Sequence, residues 1–260
     1  MNKDILLRLL VEASFLAMIA VNALANILPI NGITTGQVSD SYPNLFAPAG
    51  VTFSIWGLIY LLLGAYTVYQ SGFIKNDFLK KNSKLFRKLN IYFSLSSIAN
   101  ILWIFAWHYK QIGLASLLIV GMLILLIKIA NLLKTVKCNL TQQLLIKAPF
   151  SIYFGWITVA TIAAITTFLV SVSWNGFGIS ESLWTMAVLI VGAAIGLARM
   201  FSDNNKTYGL VFVWAYLGIY IKHTSPANFN GMYPGILLVL MVCLAIFLLA
   251  ESILLFRKVR

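Results

Sequence analysis

The chain is 260 residues long, 60% apolar and only 10% charged, with a formal net charge of +12. Soluble domains carry about 25% charged residues, so this composition excludes a water-soluble globule and points to an all-α, polytopic helical membrane protein. With two cysteines and two histidines, neither a disulfide framework nor an all-protein zinc site can be built.

Charge-poor intervals mark the elements in chain order. About 20 residues of helix cross the hydrocarbon layer, and each interval is long enough for one helix and too short for two. The sequence predicts spans over 8–29, 49–71, 89–109, 112–133, 148–171, 182–201, 207–222 and 233–256. The seventh is the shortest and also fits a re-entrant segment. Pro48, Pro149 and Pro234 stand at or near span starts, where a missing N–H costs nothing, and Pro29 closes the first span. The polar stretch 31–47 is expected to fold over the mouth of the bundle.

Orientation follows from the cations. Sixteen of the 19 Lys and Arg residues fall on the side of the termini, only Lys110 and Lys222 on the other, and Lys128 lies within the fourth span. Lys and Arg concentrate on the cytoplasmic side of membrane proteins, so both termini are expected to be cytoplasmic in a multi-pass cell-membrane protein. The charge is therefore topogenic and implies no nucleic-acid partner. The 75–88 cluster is expected to lie along anionic headgroups.

Polar groups within the spans have structural readings. Glu12, four residues after Arg8, is expected to pair with it along the first helix. Lys128 is expected to snorkel, and Glu251 to pair at the interface with Arg257 and Lys258. Asn22, Asn26 and Asn100 are suited to bridging helices, and the Gly192/Gly196 pair to close packing. His108, Trp174 and Trp184 are expected to be interfacial, in keeping with aromatic belts.

Three aromatic stripes stand out. Phe53, Trp56 and Tyr60 recur at three- and four-residue steps, as do Asn100, Trp103 and Trp107, and again Tyr153, Trp156 and Ala160. Such spacing shares one helix face, so three helices offer aromatic stripes either to one cavity or to core packing. No nucleophile, acid/base pair, phosphate loop or metal motif is present. No catalytic residue, metal ligand or required cofactor is assigned.

The sequence resembles the tryptophan-rich sensory proteins, relatives of the translocator protein (TspO/MBR). The resemblance rests on Pro48, Trp56 and Tyr60, on Asn100 and Trp103, and on the run Trp156, Ile157, Thr158, Val159, Ala160 and Thr161, in that order. The chain departs from that family's pattern at Gly50, at Ala164 and at the early Pro149–Phe150 pair. The resemblance implies a five-helix core over 1–171, with 172–260 as a three-helix extension outside the compact family. It also implies a ligand of the porphyrin or tetrapyrrole type, handled or sensed by the protein. The ligand would lie between helices one, two, three and five under the first loop. Its implied site residues are Phe53, Trp56, Tyr60, Asn100, Trp103, Trp107, Tyr153, Trp156 and Ala160, with Ala160 leaving room for the ring. The one reaction it implies is light-dependent porphyrin breakdown. The expected partners are the lipid bilayer and a hydrophobic small molecule, with a homodimer as the candidate assembly. Transport of a small hydrophobic solute is the alternative function.

Overall fold

The computed structural model describes residues 3–72 and 77–256, and among these there is no strand. Eight long helices carry the fold: α1 (Lys3–Ile27), α2 (Ile55–Gln70), α3 (Ser83–His108), α4 (Ile112–Lys134), α5 (Ala148–Ser171), α6 (Glu181–Asp203), α7 (Lys206–Thr224) and α8 (Pro234–Phe256). They agree with the spans read from the apolar runs to within a few residues at most ends, and the chain is a multi-pass membrane protein. Within the described residues, seven helical segments are long and apolar enough to cross a membrane. The remaining long helix, α7, falls short. Its Tyr208, Gly209, Trp214, Tyr216, Gly218 and Tyr220 lower its apolarity, yet most of its inner face is buried by α5, α6 and α8.

The helices pack as two groups that share α5 and α7. α3 lies against α1 and α4, and α5 against α4 and α2. α7 then packs on α5 and carries α6 and α8. Bonds cross the boundary at residue 171: Tyr208 Oη donates to Thr158 Oγ1 at 3.2 Å, and Asn205 Nδ2 donates to Ser151 Oγ at 2.8 Å. Gly155 allows this approach, because a Cβ there would lie 2.9 Å from the Val211 Cβ.

Several details add to the sequence reading or correct it. Pro149 is the second residue of α5, near its start as expected, but helical backbone also precedes it. Helix starts at Leu140 and passes through a wider π turn at Gln143–Lys147. That turn carries the backbone past a ring that would collide with a carbonyl one α-turn back. Arg8 makes no ion pair with Glu12 among the described residues; its guanidinium lies against Gly72. Glu251 is buried among helices. It is 7% exposed, its Oε1 has no partner, and it faces Gly209 and Met200. Its expected partners Arg257 and Lys258 lie outside the described residues, as does Lys75 of the basic cluster.

Other readings agree with the structure. Asn22 Nδ2 donates to Asn100 Oδ1 at 2.6 Å and ties α1 to α3. Lys128 makes a contact the sequence does not announce, its ammonium lying over the Tyr92 ring 5.5 Å from the centroid. Gly192 and Gly196 are packing positions, filled by Tyr216 at the first and by Phe212 and Phe247 at the second.

Candidate functional site

The three predicted stripes meet. On α2 Trp56 stacks on Tyr60 at 5.4 Å between ring centroids. From the same ring, Trp103 of α3 lies 6.3 Å away, Tyr153 of α5 6.1 Å and Trp156 of α5 6.3 Å. Phe53 meets Trp156 edge-on at 6.0 Å, and Trp107 stacks on Trp103 at 5.8 Å. Seven aromatic site candidates therefore form one connected nest. Asn100 is fully buried beside it, and Ala160 is half-buried one turn beyond Trp156.

The rings of the nest touch one another. Centroid separations of this size are those of direct aromatic contact, and Trp56 occupies the middle. Its polar atoms are another matter. Tyr60 Oη, Asn100 Nδ2, Trp103 Nε1 and Trp156 Nε1 are buried without a hydrogen-bond partner. Leaving a buried donor unpaired costs about 1–3 kcal/mol, and native cores contain few such groups. Here four gather around one ring set.

Open space lies elsewhere. A cavity of about 750 Å³ is walled by Ile162, Ile165 and Leu169 of α5, by Trp184 and Val188 of α6, and by Pro43 and Phe46 of the first loop. Trp156 and Ile165 are nine residues, or two and a half turns, apart, so the nest and the cavity occupy opposite faces of α5. Trp174 and Trp184, expected as interfacial anchors, line this cavity with centroids 5.2 Å apart. The Trp184 Nε1 donates to Gly176 O at 2.8 Å, a local bond in place of a headgroup. None of the buried unpartnered polar atoms lies in the lining of this cavity.

The first loop joins the two regions, and each histidine clasps one end of it. His108 is fully buried, which overturns its interfacial reading: loop residues, not lipid, cover the ring. Its Nδ1 faces Ile30 O at 3.0 Å and so carries the proton, leaving Nε2 to accept from Thr35 Oγ1 at 3.0 Å. Trp107 Nε1 donates to Thr35 O alongside. At the other end His223 Nε2 donates to Leu45 O at 2.9 Å, while Leu45 N donates to Glu181 Oε1 at 3.1 Å. The 3₁₀ turn Gly50–Ser54, which delivers Phe53 to the nest, docks on α7. Ala49 N donates to Gly218 O, and Trp214 Nε1 to Thr52 O at 2.9 Å. A side chain at position 218 would strike Thr52, 2.8 Å from its Cβ. Sequence reasoning missed Trp214, Gly218 and Glu181 as loop supports. Trp214 is 162 residues from Thr52, and no local spacing signals such a pair.

A family model described as TSPO-like protein matches residues 8–253. The match does not stop at residue 171 but runs on through the three C-terminal helices. No curated protein and no solved structure matches the chain.

Proposed function

We propose a ligand-binding role from one premise: the chain belongs to the TSPO-like family. The ligand is flat, largely apolar and bears hydrogen-bond acceptors, as a porphyrin-type tetrapyrrole does. Its site is the nest of Phe53, Trp56, Tyr60, Asn100, Trp103, Trp107, Tyr153 and Trp156, with Ala160 at its edge. One observation carries this reading: Tyr60 Oη, Asn100 Nδ2, Trp103 Nε1 and Trp156 Nε1, all buried in or beside the nest, have no hydrogen-bond partner. Pockets are mostly apolar with a few fixed polar groups, and a ligand with acceptors would satisfy these four. Since the rings touch one another, a flat ligand enters between them by displacing one. Trp56 is central and half-buried, whereas Trp103 and Trp156 are buried. Trp56 is therefore the ring that turns aside, and the other two are walls. The role is sensory or ligand-handling.

Absorbance titration of the detergent-purified protein with tetrapyrroles, sterols and carotenoids tests the reading. A saturable shift with a tetrapyrrole, lost in Trp103→Phe and Trp156→Phe, is the expected result. No shift with any of the three would overturn it. A second reading is favoured by the cavity beside Trp184: a small hydrophobic solute would lodge there and be passed across the membrane. Solute flux in proteoliposomes that responds to Trp184 variants and ignores Trp56 variants would select it.

The cation bias supports placing both termini on the cytoplasmic side of the cell membrane. Single cysteines at Ser83 and Gln37, in a chain lacking Cys138 and Cys243, check this. Labelling of position 83 from outside intact cells would reverse the map.

A further inference from the structure

At the cation-rich end of the bundle, away from the nest, a small cleft of about 130 Å³ opens between α1, α2 and α3. Its polar lining is Arg8, Gln70, Lys80, Ser83, Arg87 and Asn90. All six carry hydrogen-bond donors. Arg8 and Arg87 have no acidic partner among the described residues, and Lys80 pairs only with the exposed Asp77 at 3.8 Å. Gly72 makes space for one of these groups. Its φ of +92° suits glycine, and a side chain there would collide with the Arg8 guanidinium.

The inner wall of the cleft is more informative than its cations. Tyr66, fully buried, donates its hydroxyl to Asn90 Oδ1. Asn90 Nδ2 is thereby free to donate onward to Gln70 Oε1 at 3.0 Å. The relay fixes the polarity of the last amide. Gln70 is 2% exposed and lines the cleft, and its Nε2 is a donor with no partner. A buried amide N–H left unpaired, in a cleft rimmed by two guanidinium groups without an acidic partner among the described residues, calls for an acceptor that carries negative charge.

We propose that this cleft is an anion site for a phosphate group, either the headgroup phosphate of an anionic lipid or a free phosphate. A single water needs about 10–15 Å³ of such space, so the cleft has room for a tetrahedral oxyanion. Gln70 Nε2 binds one oxygen from the inner wall, and Arg8 and Arg87 bind from the rim. Leu7, Leu79 and Phe86 complete the lining with apolar surface, which suits a phosphate still attached to its lipid.

Two arms distinguish the sources. Detergent-purified full-length protein is titrated calorimetrically with inorganic phosphate, and its retention of phosphatidylglycerol against phosphatidylcholine is read by native mass spectrometry. Saturable binding of inorganic phosphate assigns the free anion. Binding confined to phosphatidylglycerol assigns the lipid. In the arm that binds, Arg87→Gln should weaken binding about tenfold, the worth of one charge-assisted hydrogen bond. Lys84→Gln removes the same charge from the same helix outside the cleft and should weaken it by less than about twofold. Gln70→Glu keeps the acceptor for Asn90 but opposes the anion, and should abolish binding. Arg87 and Lys84 are both exposed, so that pair decides even if the Gln70 variant fails to fold. Binding in neither arm, or equal losses from Arg87→Gln and Lys84→Gln, would overturn the proposal.

Discussion

The two faces of α5 are built from similar materials and lack opposite things. On one, the rings around Trp56 pack against one another, and four buried polar atoms have no hydrogen-bond partner. On the other, Trp174 and Trp184 border about 750 Å³ of space, and no buried polar atom of the lining is unpartnered. Volume shows where a molecule can lie at little cost. Unpaired polarity shows where a molecule would be recognised, because only a complementary partner recovers the lost hydrogen bonds. In many proteins the two coincide, but here a single helix separates them. The nest is poised for a ligand that has to displace a side chain, and the cavity accepts any apolar shape that fits.

The largest expected effect separates these regions directly. Trp56→Ala, Trp103→Ala and Trp156→Ala should each cost about 3–5 kcal/mol of stability through the cavity left behind, read as a lowered melting temperature. Where the variants fold, porphyrin affinity should fall roughly five- to 150-fold, taking aromatic stacking at about 1–3 kcal/mol per contact. Phe replacements run beside them isolate lost contact from lost packing. Quenching of tryptophan fluorescence by bound porphyrin should diminish in the same three variants.

Gly218→Ala comes next, because it strains the seam between the regions. Thr52 has to move to admit the new methyl, at about 1–3 kcal/mol for overpacking. Since the 3₁₀ turn carries Phe53, ligand affinity should fall together with thermal stability. A stable Gly218→Ala protein with unchanged affinity would show that the loop end and the nest are uncoupled.

Trp184→Phe should be milder. It removes the bond to Gly176 O, worth about 1 kcal/mol, and should change porphyrin affinity by less than about twofold, as for any tryptophan outside the nest. If affinity instead follows Trp184 and ignores Trp56, the cavity is the site. The smallest effect belongs to Asn22→Leu. Interhelical hydrogen bonds within membranes average about 0.6 kcal/mol, so stability should barely move. The variant frees Asn100 Oδ1 and so adds an acceptor beside the nest, which a ligand offering only acceptors should bind less well.

The nest was legible in the sequence and the cavity was not, for a physical reason. Trp56 and Tyr60, Trp103 and Trp107, and Tyr153 and Trp156 repeat at helical spacing, and such spacing fixes a shared face before any tertiary contact is known. What spacing leaves open is whether facing stripes enclose space or close on each other, and here they close. The cavity is walled by Phe46, Ile165 and Trp184, segments related only by how the chain folds back. The belt argument did not foresee the protein partners of His108 and Trp184 for a similar reason. Both are near helix ends, where lipid headgroups are the usual neighbours, but Ile30 and Thr35 cover one and Gly176 bonds the other. Helix positions survived better, because runs of apolar residues mark a span whatever it packs against. The π turn at Gln143–Lys147, just ahead of Pro149, has no such mark because composition does not reveal it.

The modest apolarity of α7 has a consequence for how the chain is made. Each stretch leaving the ribosome is sorted by the translocon according to its own free energy of transfer into lipid, and aromatic, glycine-rich sequence gains little there. α7 faces α5, α6 and α8 with Tyr208, Phe212 and Tyr216, and the first loop with Gly218, so its natural solvent is protein. Its neighbours differ sharply: the segment that follows, Pro234–Phe256, has a hydropathy of 2.8, the highest among the candidate spans. Membrane insertion of α7 is thus tied to the arrival of α8, and an arrested chain ending between residues 224 and 234 should leave α7 exposed to membrane quality control.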